Sequence, residues 1–393
     1  MAQFYAHGPM ILLGMTFRTI GGMELSGVPF RELLLVCLFG VAGCYLTIPL
    51  VRRGAIAVGA VAIPRERDVH GTNMPRIGGA GVFLGMCTAC ALAMRLPALS
   101  NGFVYSSAMI ATFTSAAIVM CVGAIDDILQ IPPAVKLMGQ IVAGLALALG
   151  GVRWRLLPGD GTVVVLDYTQ SVLLTVILTV VIINAMNFTD GLDGLASGLA
   201  IVSFATVASF SAWRLNQSGG DVSYYSPLIV STIGAGACIG FLFHNAHPAQ
   251  IFLGDTGSML LGVIVTSAVT QVTGMPLVDI NEGLLTAFSP IIVFAGVILI
   301  PVLDATVAIV RRAASHKPIY IADKLHLHHR LLSIGFSHPG VVLLIICLAS
   351  ALSGMCLAIS IQAPGWTLAT RGFCACLCLL VICSRAFKMK LHN

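Results

Sequence analysis

Charge is what this sequence has least of. Asp, Glu, Lys and Arg together make up 9% of its 393 residues, where a soluble globular domain carries roughly 25%. That scarcity excludes a water-covered surface over most of the chain. Aromatic residues are few as well, at 7%, and no basic stripe interleaved with aromatics occurs, so nucleic acid is not an expected partner. Internal repeats, low-complexity tracts and long polar linkers are also missing, which argues against a solenoid or a string of separate domains. The segment before residue 30 is only patchily apolar and its Arg18 does not make the basic start of a cleaved signal, so the first span is expected to serve as the insertion signal.

What is present is aliphatic: 58% of residues are hydrophobic and mean hydropathy is +0.97. Windows of about 18–23 apolar residues, enough for a hydrocarbon core roughly 30 Å thick, recur along the chain. The expected spans are 33–51, 78–95, 104–123, 136–150, 171–188, 196–213, 226–244, 257–273, 288–310, 340–361 and 366–386. Because 136–150 is short for a crossing, the count is about 10–11. The fold class is therefore an all-α, polytopic integral membrane protein, expected to form one domain over 1–393. Twelve cysteines fall mostly inside spans, as in CTAC at 87–90 and CACLC at 374–378, which predicts buried apolar packers and not a disulfide framework.

Basic residues beside spans stay on the cytoplasmic side. If the 52–77 loop lies there, strict alternation adds Asp126/Asp127, 189–195, 245–256, 311–338 and the C-terminal tail. That side then holds about fourteen of the Lys and Arg residues, the larger share. Every loop rich in acids, amides or histidines falls on this face, so chemistry is expected at the cytoplasmic surface of a plasma membrane.

Four polar stretches define that face. GAIDDILQIPPAVKLMGQ (123–140) ends a span on paired acids, breaks at two prolines and presents Lys136 on the next helix; adjacent carboxylates repel unless a cation or proton sits between them. NAMNFTDGLDGLASGLA (184–200) places Asn184, Asn187, Asp190 and Asp193 three apart, with glycines that let the chain turn out of the membrane. FLGDTGSMLLG (252–262) sets Asp255 before an apolar helix, either as an ordinary N-cap or beside a phosphate and Mg²⁺. HLHHR (326–330) offers His326, His328, His329 and Arg330 to anionic oxygen; with no cysteine nearby, zinc is not expected there. A fifth stretch, IPRERDVHGTNMPRIGG (63–79), supplies His70 and Arg76. Asp304, an acid inside the span at 288–310, is costly unless it lines a polar site or finds a helix partner. Acids and basic groups on one face make sense together if a divalent cation bridges carboxylates and substrate phosphates.

In order, DDILQIPPAVKLMGQ, NAMNFTDGLDGLASG, FLGDTGSMLLG and DKLHLHHRL resemble the motifs of the polyprenyl-phosphate N-acetylhexosamine-1-phosphate transferases, glycosyltransferase family 4. VHGTNMPRIGG is similar to the family's first loop, with Asp68 and Asn73 departing from the usual pattern. The resemblance implies transfer of GlcNAc-1-phosphate from UDP-GlcNAc to undecaprenyl phosphate, with Mg²⁺ or Mn²⁺, starting a cell-envelope glycan. It implies Asp255 and Asn187 as metal ligands, with Asp126, Asp127 and Asp255 catalytic. It further implies substrate contacts from His70, Arg76, Lys136, Asn184, Asp190, Asp193, His326, His328, His329 and Arg330. The family motifs lie within 63–338, with 340–386 as extra C-terminal helices; partners are the two substrates and the bilayer, with a homodimer left open. Transfer of MurNAc-pentapeptide phosphate is the alternative within the family, and a multi-span transporter the alternative outside it.

Overall fold

The computed structural model describes residues 27–62, 74–104, 107–158, 163–273, 284–316 and 326–392. These form helices α1 (Phe30–Ala57), α2 (Gly78–Ala93), α3 (Pro97–Val104), α4 (Ala108–Leu129), α5 (Pro133–Leu149), α6 (Tyr168–Thr189) and α7 (Leu195–Gln217). The series continues with α8 (Tyr225–Asn245), α9 (Gly254–Thr273), α10 (Leu284–Ala314), α11 (Leu327–Ser333), α12 (His338–Ser360) and α13 (Gly365–His392). Two antiparallel pairs complete the fold: β1 (Val61–Ala62) with β2 (Met74–Pro75), and β3 (Leu156–Pro158) with β4 (Val163–Val165).

Each predicted span falls on a helix. Eight helices are long and apolar enough to cross a membrane, while α2, α5 and the 367–379 stretch of α13 are shorter. At 1.5 Å per residue the 16 residues of α2 extend about 24 Å, short of a hydrocarbon core roughly 30 Å thick. The chain is thus an all-α polytopic membrane protein with 8 candidate membrane-spanning helices among the described residues. Among the described residues the cysteines are free.

α9 is the central helix, wholly buried along its apolar window, and it packs against α2, α4, α6, α7 and α8. Lipid offers no hydrophobic force between helices, so close contact depends on small residues. A Cβ on Gly123 of α4 would meet the carbonyl oxygen of Asp255 at 2.5 Å, so this glycine lets α4 touch the start of α9. Buried hydroxyls of Thr175, Thr179 and Thr266 return their hydrogen bonds to carbonyls four residues back, which leaves the bundle interior without unmatched donors at those points. One apolar core joins α1, α2, α4 and α6–α9, and a second gathers around α7, α10, α12 and α13.

The polar motifs meet at one end of this bundle. Gly78 N–H donates to the Phe252 carbonyl at 3.0 Å, tying the start of α2 to the approach to α9. Gly194 N–H donates to Asn245 Oδ1 at 2.9 Å, tying the start of α7 to the end of α8.

Candidate active site

The first turn of α9 carries Asp255, and a residue far back in the chain closes that turn. Asp127, near the end of α4, accepts from Asp255 N–H at 3.0 Å, Thr256 N–H at 2.9 Å and the Thr256 hydroxyl at 2.6 Å. The N-cap expected within the Gly254–Ser258 stretch is thus supplied by Asp127. Asp126 sits about 100° further back around α4 and points elsewhere. Its Oδ2 accepts from Lys136 Nζ of α5 at 3.0 Å, and the same ammonium donates to Asp255 Oδ2. From α6, Asn187 Nδ2 donates to Asp255 Oδ1 at 3.0 Å and to Ser258 Oγ at 2.8 Å. Four helices therefore deliver Asp126, Lys136, Asn187 and Asp255 to one point, where two carboxylates share one positive charge.

One turn deeper in α6, Asn184 Nδ2 donates to Gln140 Oε1 at 2.6 Å and to the Val180 carbonyl at 2.8 Å. It links α6 to α5 below the carboxylates. His70 lies outside the described residues. The Arg76 backbone continues from β2 into α2, and its guanidinium acts electrostatically on Asp190.

Asp190, the residue that ends α6, has its carboxyl held well above the usual range, first by burial and then by Asp255, Asp127 and Asp193, with Arg76 opposing. A carboxyl whose folded value is raised stabilises the fold at low pH, and that contribution is lost as pH climbs from the ordinary 3.8 through the raised value. The cation-free protein is expected to lose thermal stability over that interval, and Asp190→Asn to flatten the loss. Identical melting profiles against pH for the two proteins would contradict the assignment.

Asp193 is buried, and its Oδ2 accepts from the Ala249 N–H at 3.3 Å and lies 2.9 Å from His247 Nδ1. The His247 ring stacks on His338 at 4.3 Å between centroids. Ligand atoms of Asp193, His247 and His338 all lie within 4.8 Å of one another, an Asp/His cluster compatible with metal coordination.

The histidine motif forms α11 and its cap. Asp304, of the preceding long helix α10, accepts from Leu327 N–H at 2.8 Å and faces His326 Nδ1 at 3.0 Å. Arg312, about two turns further along α10, reaches His326 Nε2 at 3.3 Å. The acid inside a span is explained: Asp304 caps α11 and orients its first histidine. His328 packs against Gly191, where a Cβ would lie 2.2 Å from the ring Nε2, so a glycine in DGLDG is what admits the imidazole. Burial, and then the charges of His329, His326 and His338, push His328 down to about 4, with Asp304 opposing. At neutral pH it serves as a hydrogen-bonding dipole, not a cation. His329 adjoins it at 4.4 Å between ring centroids, and Arg330 is exposed.

Asp304→Ala removes a cap and a charged hydrogen bond, an effect of about 1.5–3 kcal/mol. It is expected to raise KM for the substrate that meets the histidine helix roughly tenfold with a smaller change in kcat, while Asp304→Asn keeps an acceptor for Leu327 and recovers part of the loss. Steady-state kinetics of both variants check this; equal KM in all three proteins would contradict it.

A family model described as glycosyl transferase family 4 matches residues 109–273. A decaprenyl-phosphate N-acetylglucosaminephosphotransferase of Mycobacterium tuberculosis is 47% identical over 327 residues, covering 81% of this chain and 80% of the relative. The chain belongs to glycosyl transferase family 4. A probable undecaprenyl-phosphate N-acetylglucosaminyl 1-phosphate transferase of Bacillus subtilis is 35% identical, with 76% of each chain covered. More distant is a phospho-N-acetylmuramoyl-pentapeptide-transferase of Desulfitobacterium hafniense, 28% identical over 74% of this chain and 84% of the relative. The matched segment 109–273 contains Asp126, Lys136, Asn187 and Asp255.

Several residues in and beside this family-4 site carry no strong sequence signal. Ser258, Thr256 and Asn245 read as ordinary polar residues at helix ends. His247 and His338 each precede a proline beside a span on the predicted cytoplasmic face, a hint visible once both loops are assigned to that face.

Proposed function

We infer that this chain is a phosphoglycosyltransferase that transfers GlcNAc-1-phosphate from UDP-GlcNAc to a polyprenyl phosphate, yielding the polyprenyl-diphospho-sugar and UMP. The carrying observation is the meeting of Asp126, Lys136, Asn187 and Asp255 at the end of four helices, in a chain 47% identical to an N-acetylglucosaminephosphotransferase. In the reaction an oxygen of the lipid phosphate bonds to the β-phosphorus of the UDP-sugar, and the bond from that phosphorus to the bridging oxygen breaks, leaving UMP.

A divalent cation of the Mg²⁺ or Mn²⁺ class fits the donors here, because Asp126 and Asp255 are hard oxygen ligands already gathered around one positive charge. When bound, such a cation withdraws charge from the diphosphate. Asn187 holds Asp255 through its amide NH₂, and the opposite amide orientation presents Oδ1 as a further oxygen donor. With such a cation bound, Asp126 and Asp255 would hold it, and Lys136, which now bridges the two carboxylates, would be free to neutralise phosphate. A phosphate monoester with a second pKa near ~6 is already mostly dianionic at neutral pH, so the nucleophile needs placement more than deprotonation. In this reading Asp190 and Arg76 serve the nucleotide, and His328, His329 and Arg330 the sugar and diphosphate.

The site faces the cytoplasm of a plasma membrane in this reading. Arg52 and Arg53 lie about one turn before the end of α1 and Arg311 and Arg312 in the last turn of α10, which agrees with retention of basic residues inside. α2, α5 and α13 complete 10–11 crossings by tilting or by local thinning of the bilayer.

The testing experiment supplies purified full-length protein with UDP-GlcNAc or UDP-MurNAc-pentapeptide, each with undecaprenyl or decaprenyl phosphate, with and without Mg²⁺, and follows UMP. UMP is expected with UDP-GlcNAc only, dependent on Mg²⁺ and on the lipid. Release of UDP or inorganic phosphate, or product from the MurNAc donor instead, overturns the reading. Flux of a substrate across vesicles without UMP would support a transporter.

A further inference from the structure

Asp193, His247 and His338 belong to three separate connections: the turn from α6 to α7, the segment from α8 to α9, and the start of α12. None of the three is among the residues gathered around Asp255. We propose that they form a second cation site, for a borderline transition metal of the zinc class, which staples the three connections together.

The donor chemistry carries the choice of metal. The set around Asp255 is all oxygen and suits a hard cation such as Mg²⁺, whereas two imidazole nitrogens with one carboxylate oxygen suit zinc, cobalt or iron. Imidazole is a poor ligand for Mg²⁺, so the two sites select different ions. Geometry agrees. In a four-coordinate site with ligand bonds near 2.0–2.1 Å, neighbouring donor atoms lie about 3.3 Å apart. Asp193 Oδ2 and His247 Nδ1 already stand 2.9 Å apart, and all three donors fall within 4.8 Å. Closing the set moves the third donor inward by at most about 1.5 Å, within reach of a side-chain rotation because His338 sits at the first turn of a helix, next to a short connection.

The protein already supports these ligands from behind. Ala249 N–H donates to Asp193 Oδ2, and Asn245 fixes the same loops by accepting from Gly194 N–H and donating to the Ile251 carbonyl at 3.0 Å. Outer hydrogen bonds of this kind orient ligands before a metal arrives. His247 and His338 stack with an interplanar angle of 22°, and rotation of the rings brings their in-plane nitrogen lone pairs to one coordination point. The consequence is mechanical. His338 starts α12 directly after α11, so a metal held here fixes the histidine helix to DGLDG, and the site to the loop that leads into α9.

The experiment uses the full-length detergent-solubilised protein carrying an affinity tag free of histidine, stripped with a chelator. Zn²⁺ and Co²⁺ are titrated and bound metal is counted by mass spectrometry, with Co²⁺ followed through its visible d–d bands. One equivalent is expected for the parent, for Asp255→Asn and for His329→Gln. His247→Gln and His338→Gln are expected to weaken Co²⁺ binding by about 100-fold or more, since even an outer-shell partner is worth 10–100-fold. X-ray absorption at the zinc edge of the parent protein gives a second measurement that needs no variant, with two imidazole nitrogens and a carboxylate oxygen expected. The proposal is overturned if the parent binds no Zn²⁺ or Co²⁺, if binding survives His247→Gln unchanged, or if the absorption data show no imidazole.

Discussion

Asp255→Ala is expected to reduce UMP formation by about three orders of magnitude or more while the protein stays folded. The size follows from the role. In the proposed reaction, loss of a carboxylate that would hold a charge-neutralising cation on a diphosphate costs several kcal/mol of transition-state stabilisation, and about 4 kcal/mol corresponds to about 10³-fold in rate. The expectation of a folded protein follows from which atoms do what. The N-terminus of α9 is closed through the backbone N–H of Asp255, which donates to Asp127, and alanine keeps that group. What alanine removes is the carboxylate that meets Lys136 and Asn187. Cys87→Ala in α2 is the matched control, distant in role and expected to retain full activity. If both variants turn over equally in the purified assay, Asp255 does not belong to the site.

Much of this arrangement was legible because bilayer thickness leaves few choices for a chain with so little charge. Runs of aliphatic residues of the right length mark helices, and alternation then forces the ends of α4, α6 and α8 and the starts of α5, α7 and α9 to one side. Spans with many glycines were harder to judge. Gly81 and Gly85 of α2 meet α1 at Ile48 and Cys44, while Gly78 and Gly79 meet Phe252 and Gly257, which allows close packing but says nothing about whether 16 residues cross. Side-chain direction was the larger gap. Asn184 and Asn187 are three apart and look equivalent in sequence. Yet one turn of helix separates them, so Asn187 reaches Asp255 while Asn184 stops at Gln140. Asp304 could be seen as anomalous, but its partners come from the separate helix α11 and its cap, and no local pattern reports a tertiary cap.

Asp126 and Asp127 are neighbours in sequence and are expected to fail differently when replaced. Asp127→Ala strips three donors of their acceptor at the start of the central helix. An orphaned buried donor costs roughly 1–3 kcal/mol and a lost N-cap about 0.5–2 kcal/mol; with partial access of water, a net loss of about 3 kcal/mol is expected. This variant should therefore melt earlier and also lose activity, because Asp255 rides on the turn that loosens. Asp126→Ala leaves the cap intact and removes one of the acids crowded near Asp255, so its melting temperature should match or exceed the parent's. Its defect should appear as slower turnover and a higher Mg²⁺ requirement, since the cation loses an oxygen donor. Thermal unfolding and Mg²⁺-dependent kinetics on the two variants separate these outcomes. Asp127→Asn adds the deciding measurement for proton chemistry. If it melts like the parent, remains inactive and loses the acidic limb of the pH–rate profile, Asp127 is a general base and the capping role is secondary. With a lipid phosphate already dianionic near neutral pH, the expected result is the reverse, with the activity of Asp127→Asn falling only as far as its stability falls.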